Sequence, residues 1–184
     1  MGKIPIVKKP YPDELLYSWI CRLAYANGLS ISAFSDAYLG RQNTEDTPLT
    51  WDIRNEFFLL YNSIYTTSDL INFYLDLTTF GYESIWMTRG QQTRYTNYVF
   101  RKQDKLNPFA TTLFQSVNIC PACFSEDIEK FGEPYLHRSH QLSGIMTCHK
   151  HKNKLRDHND NENRNTQGSF GYENSSHCRT RNTL

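Results

Sequence analysis

Residues 118–155 read NICPACFSEDIEKFGEPYLHRSHQLSGIMTCHKHKNKL. Cys120 and Cys123 flank Pro121-Ala122, and a 24-residue interval separates them from Cys148 and His151, which share the same two-residue spacing. A C-x-x-C knuckle can aim two thiolates and backbone N–H groups at one ion, and a C-x-x-H pair completes a set of four. Soft thiolates with one imidazole select tetrahedral zinc. Four protein ligands leave no position for water, so the expected metal is structural. Its binding energy replaces much of the core that so short and polar a stretch lacks. His149 lies next to Cys148 and would face the other way on an extended chain, so it is expected on the surface. His137 and His140 are expected as satisfied structural histidines, with no nucleophile beside them. Free buried cysteines with surface histidines are the plainer alternative, and the paired spacing weighs against it.

The rest of the composition is consistent with this reading. Five cysteines in a chain with no secretory signal argue against a disulfide framework, and three of them cluster between 120 and 148. The 184 residues suit one domain or two small ones. A net charge of +1 does not suggest a wide phosphate-binding surface. No apolar run reaches membrane-spanning length. The opening MGKIPIVKKPYPDE lacks the continuous apolar stretch of a signal peptide, so a cytoplasmic location is expected.

Upstream, helical periodicity dominates, and the expected fold is mainly α. Pro12, Asp13 and Glu14 suit a helix start, and Leu15, Leu16, Trp19, Ile20 and Leu23 fall on one helical face. Asn27-Gly28 stops that helix. Ser30 caps a second one over about Ile31–Leu39, with Phe34 and Ala37 expected on its buried side. This helix–turn–helix-like hairpin covers about residues 13–39. Its second helix presents Ser32, Ser35, Asp36 and Tyr38, with no Arg, Lys, Asn or Gln to read base edges, so an ordinary helical hairpin fits equally. Helices are also expected over Asp52–Tyr65, Ser68–Leu77 and Phe109–Val117, while residues 78–101 carry no clear periodicity. Arg89, Arg94, Arg101 and Lys102, with Arg41, Arg54 and Lys105, make a candidate nucleic-acid patch among Tyr95, Tyr98 and Phe100; a solvated face is the simpler reading. The expected organisation is a helical region over 1–117, a small zinc ribbon or finger module over 118–155, and a disordered polar tail over 156–184, where almost no aliphatic residue occurs.

The order of these pieces resembles the TniQ family, which includes TnsD-like transposon target-selection proteins. PYPDELLYSWICRLAYANGLS is similar to the family's opening P-x-P-x-E-L-L/I-x-S helix and Gly turn. The zinc region is similar to its C-P-x-C, acidic helix, G-x-P-Y, R-x-x-H-Q-L and C-x-x-H followed by Leu. The resemblance covers about residues 5–155 and implies Cys120, Cys123, Cys148 and His151 as the zinc ligands. It departs before Arg89, where Thr78-Thr79 stands in place of a His-Thr pair. It further implies a non-catalytic adaptor that links a DNA target or a CRISPR effector complex to an AAA+ transposition ATPase; a homodimer is left open. The alternative expectation is a small zinc-stabilised DNA-binding transcription regulator, and a zinc-braced nuclease lacks a convincing set of acidic partners.

Overall fold

The computed structural model describes residues 4–39, 67–101 and 117–157. Its regular elements are α1 (Leu16–Ala26), α2 (Ile31–Phe34), α3 (Thr67–Leu77), α4 (Phe80–Glu83), α5 (Arg89–Arg101), β1 (Asn118–Ile119), α6 (Pro121–Phe131) and β2 (Arg156–Asp157). The described chain is therefore mostly helical. The expected helices over Asp52–Tyr65 and Phe109–Val117 lie, but for Val117, outside the described residues.

An apolar cluster forms around α1. Leu16, Trp19, Ile20, Leu23 and Ala24 pack with Phe34 of α2, with Tyr74 and Leu77 of α3 and with Phe80 of α4. The residues before α1 run alongside it, because Trp19 donates from Nε1 to the Lys8 carbonyl at 2.8 Å and Asn27 donates to the Ile6 carbonyl at 2.8 Å. Gly28 (φ 68°) turns the chain, and Ser30 Oγ accepts from the Ala33 N–H at 3.1 Å, capping α2 as expected. After Phe34 the helix continues as a wider π turn over Ser35–Leu39. That change of pitch rotates the face, so Ser35 is buried and Ala37 is exposed, contrary to the 3.6-residue expectation.

The acidic pair at the start of α1 is also placed differently. The first turn of α1 holds no acid, and the residue before it, Leu15, makes no side-chain cap. Pro12 and Asp13 (φ 59°) instead form the middle of a turn closed by Glu14 N–H to the Tyr11 carbonyl at 3.2 Å. Proline at the second position with a positive φ at the third is a type II pattern. The turn lays Asp13–Leu15 against Leu136–Arg138: Leu15 N–H donates to Leu136 O at 2.7 Å, and Arg138 N–H to Asp13 O at 2.7 Å. Glu14, wholly buried, then accepts from Tyr11 N–H (2.8 Å), Ser18 Oγ (3.1 Å) and Arg22 Nη1 (2.7 Å). Arg22 Nε reaches Glu133 Oε1 at 2.9 Å, and its guanidinium stacks 3.5 Å from the Tyr11 ring centre. Burial pushes the Glu14 carboxyl up, while those same donors and the Arg22 charge oppose the shift.

A second, smaller cluster consists of Leu15, Ile119, Phe124 and Leu136. Leu15 and Leu16 thus fall in different cores, Leu15 with the cysteine-rich region and Leu16 with the helices. β1 pairs antiparallel with β2, Asn118 opposite Asp157 and Ile119 opposite Arg156, so these two residues of the sequence-expected tail belong to a strand. The Gln141 side chain extends the pairing on the far side of β1, donating to Asn118 O at 2.7 Å and accepting from Asn118 N–H at 3.1 Å.

In the stretch without clear periodicity, Thr88 and Gln91 form a capping box in which Thr88 N–H donates to Gln91 Oε1 (2.8 Å) and Gln91 N–H to Thr88 Oγ1 (3.3 Å). That reciprocal pair starts α5. Thr78 and Thr79, the point of departure from the family pattern, are buried, and Thr78 Oγ1 donates to the Tyr74 carbonyl at 2.8 Å.

Arg22→Leu leaves Glu14 buried without its cation and is expected to destabilise the folded chain by about 3–5 kcal/mol. Adding Glu14→Leu should recover most of that loss. Urea unfolding of the single and double variants checks it, and a double variant as unstable as the sum of the singles would refute the pairing account.

Candidate metal centre

Cys120 occupies the N-cap of α6 and Pro121 its first position, where the missing proline N–H costs no bond. Cys123 follows in the first turn, so the C-x-x-C pair opens a helix instead of forming a free-standing knuckle. The positive helix end favours thiolates there. Gly132, at φ 79°, closes α6 with its N–H on the Ile128 carbonyl.

Cys148 and His151 come from a tight turn. Thr147 and Lys154 pair across it, Cys148 N–H donates to Asn153 O at 2.9 Å, and Lys152 N–H donates to Cys148 O at 2.9 Å. Lys152 takes φ 60° to complete the reversal. His149 is exposed as expected, although a turn and not a strand puts it there.

The ligand atoms of Cys120, Cys123, Cys148 and His151 all lie within 4.8 Å of one another. The Cys123 and Cys148 sulfurs are 3.7 Å apart, and His151 Nδ1 lies 3.6, 3.3 and 3.7 Å from the sulfurs of Cys120, Cys123 and Cys148. A tetrahedral ion bonded at about 2.3 Å to sulfur and about 2.0–2.1 Å to nitrogen has edges of roughly 3.8 Å (S–S) and 3.6 Å (S–N). The observed separations have that size. The three sulfurs are buried, with Leu155 packed against them. These four residues could hold a metal ion.

The electrostatics point the same way. Burial, with the neighbouring Cys148 and Cys120 sulfurs, pushes the Cys123 thiol up. Burial also acts against Cys148, but N–H groups of His151 and Lys150 lower it to about 7. Sulfur binds a metal ion as thiolate, and a divalent cation held here would offset the mutual repulsion of three such ligands.

Around the four residues lies a set of groups that spacing did not single out. Glu126 Oε1 accepts from His151 Nε2 at 2.9 Å, and Lys150 pairs with the same carboxylate. His140, buried, has Nε2 3.8 Å from the Cys123 sulfur. The acidic helix that the family resemblance implies after Cys123 carries a signal for Glu126, which lies three residues on and so on the same side of α6. No comparable signal marks His140.

His137 is the satisfied structural histidine expected. Its Nε2–H donates to Asp127 Oδ2 at 2.9 Å, and Asp13 Oδ2 lies 3.8 Å from Nδ1, as a charge and not as a hydrogen-bond partner. Burial would lower its pKa, but the two carboxylates outweigh burial and raise it to about 9. Asp13 also accepts from Ser139 Oγ at 2.5 Å and Arg138 Nε at 3.3 Å; against the upward push of burial, its pKa falls to about 2. Of the candidate nucleic-acid residues, Arg89 and Arg94 are exposed on α5, whereas the Arg101 side chain and Lys102 lie outside the described residues.

A family model described as TniQ matches residues 5–155, most of the chain. The chain belongs to the TniQ family. Membership implies a role related to target selection in transposition, and the matched span takes in α1, both cores and all four cysteine and histidine residues of the centre. Comparison with curated proteins and with solved structures gives no match. Among the described residues of this TniQ protein, no helix is long and apolar enough to cross a membrane.

Two outcomes are expected. Cys120→Ser or Cys148→Ser should abolish one-to-one metal binding, measured by elemental analysis after gel filtration, while Cys21→Ser should leave it intact; retained metal in the Cys148 variant would remove that ligand. The His137 contribution to stability should be fully present below pH 6.5 and fade as pH rises through about 9, by on the order of 3 kcal/mol. That of Asp13 should be present above pH 3.8 and fade as pH falls toward 2. Denaturant unfolding across these windows checks both, and a His137→Gln variant should flatten the upper one.

Proposed function

We propose that this TniQ protein is a non-catalytic target-selection adaptor of a bacterial transposition system, acting in the cytoplasm and braced by a structural zinc ion. In this reading it links a DNA target or a CRISPR effector complex to an AAA+ transposition ATPase. The observation that carries the proposal is the family match over residues 5–155, which runs through the helical part and the cysteine and histidine cluster alike.

The chemistry of the cluster supports zinc in a structural role. Three thiolates and one imidazole suit zinc, and a set of four closes the coordination sphere, so no position remains to activate water. Zinc bound there by Cys120, Cys123, Cys148 and His151 would tie the start of α6 to the turn at 148–151. The zinc module, about 118–155, would then hold its shape and offer α1 a fixed partner surface. A base-reading role for the helical run over residues 31–39 gains little support, because its exposed residues Ser32, Ala33, Asp36 and Ala37 include no Arg, Lys, Asn or Gln. For nucleic-acid contact, the exposed Arg89 and Arg94 on α5 are better candidates, on a helix that carries no acidic residue.

Co-elution of the zinc-loaded protein with the AAA+ ATPase of its transposition system, with ATP and duplex DNA, is the direct test, each component being omitted in turn. A complex that requires the ATPase is the expected result. Salt-sensitive DNA binding with no ATPase association would overturn the adaptor reading in favour of a small zinc-stabilised regulator.

A further inference from the structure

The His151 ring has two nitrogens that could face an ion, and the fold selects one. Nδ1 points among the three sulfurs, 3.3–3.7 Å from each, while Nε2 is 2.9 Å from Glu126 Oε1. A carboxylate only accepts, so Nε2 carries the proton and Nδ1 keeps its lone pair for the ion. Glu126 is itself held in place by α6, which also carries Cys123, and by Lys150, the neighbour of His151 in sequence. Helix and turn therefore fix this carboxylate from both sides of the site.

His140 approaches from a third direction, the 3-10 turn over Arg138–Gln141. Its Nε2 is 3.8 Å from the Cys123 sulfur, within reach of a hydrogen bond to sulfur. A metal-bound thiolate accepts and does not donate, so the proton in that contact belongs to the imidazole. His140 is not a fifth ligand in this arrangement, because the tetrahedral set is filled by four atoms within 4.8 Å of one another and His140 is outside that set. Three thiolates on a divalent ion leave one surplus negative charge, and an N–H on one sulfur spreads it.

We propose that Glu126 and His140 are positioning residues of the metal centre: Glu126 sets the His151 tautomer and ring direction, and His140 shields the Cys123 thiolate. This rests on the metal reading above and adds two residues outside the ligand set. Such supporting groups change metal affinity by about 10–100-fold when removed.

The test titrates zinc against a chromophoric chelator for wild type and variants, with cobalt(II) as the spectroscopic probe of the thiolate and imidazole set. Glu126→Ala is expected to weaken zinc binding by about 10–100-fold. Glu126→Gln, whose amide oxygen still accepts from Nε2, should recover most of the loss, and Glu129→Ala, exposed on the same helix, should leave affinity unchanged. His140→Phe should keep one ion per chain with an unaltered cobalt spectrum, yet its Cys123 should be alkylated faster in the metal-loaded protein, as mapped by peptide mass spectrometry. His140→Gln, which retains an N–H donor, should restore protection. Affinity in Glu126→Ala within twofold of wild type, or no change in Cys123 alkylation, overturns the proposal. Loss of the cobalt spectrum in both His140 variants would make His140 a ligand and also overturn it. A wild-type chain that binds no ion refutes the metal reading itself, a separate result.

Discussion

The constraint on which the rest depends is the join between residues 13–15 and 136–138. Two backbone hydrogen bonds of 2.7 Å make it, and the wholly buried Glu14 carboxylate lies within it. A carboxylate taken out of water is tolerable only when its oxygens are matched by donors and a cation. Tyr11 N–H, Ser18 and Arg22 supply them, and Arg22 in turn requires Glu133 from the turn after α6. The network thus spans more than a hundred residues of sequence. If residues 133–138 moved away, Arg22 would lose Glu133 and Ser18 Oγ would lose the Leu136 N–H, while Glu14 would keep its partners within residues 11–22.

This join explains how so thin a cysteine-rich region is held in a fixed place. Its apolar cluster of Ile119, Phe124 and Leu136 is completed by Leu15, contributed by the N-terminal segment. A few buried side chains alone could not offset the ordering entropy of residues 117–157. Four side chains that could hold a metal ion lie at the opposite end of α6. Cys120 and Cys123 open that helix, whereas Phe131 at its end stacks on Tyr11, with ring centres 4.3 Å apart. α6 is therefore pinned at its start by the cluster and at its end by the N-terminal segment.

His137 and Asp13 give the join a second layer. The imidazole stacks on Tyr135 at 4.4 Å and lies tilted against His140 at 4.9 Å, and the latter reaches the Cys123 sulfur. A contiguous set of groups accordingly runs from the N-terminal turn to the thiolates.

By itself the sequence determined the local features: the four-residue ligand pattern, the Ser30 cap, the Gly28 turn, the face of α1 and the helical character of 67–77. Each follows from spacing within one or two turns of chain, where backbone geometry decides which residues meet. That His151 and not His149 lies with the three cysteines agrees with what the family resemblance implied. The tertiary structure alone decided what Asp13 and Glu14 do. Their position before an apolar helix suggests a favourable interaction with its dipole, but the gain available there is small, about 0.3–1 kcal/mol. A buried network with a cation and a sheet-like pairing outweighs it. The same holds for Leu15, which belongs to a different core from Leu16, and for Glu126 and His140, whose partners lie 25 and 17 residues away. Contacts between distant segments leave no periodic trace in a single chain, because the chain path that brings them together is itself the product of burial.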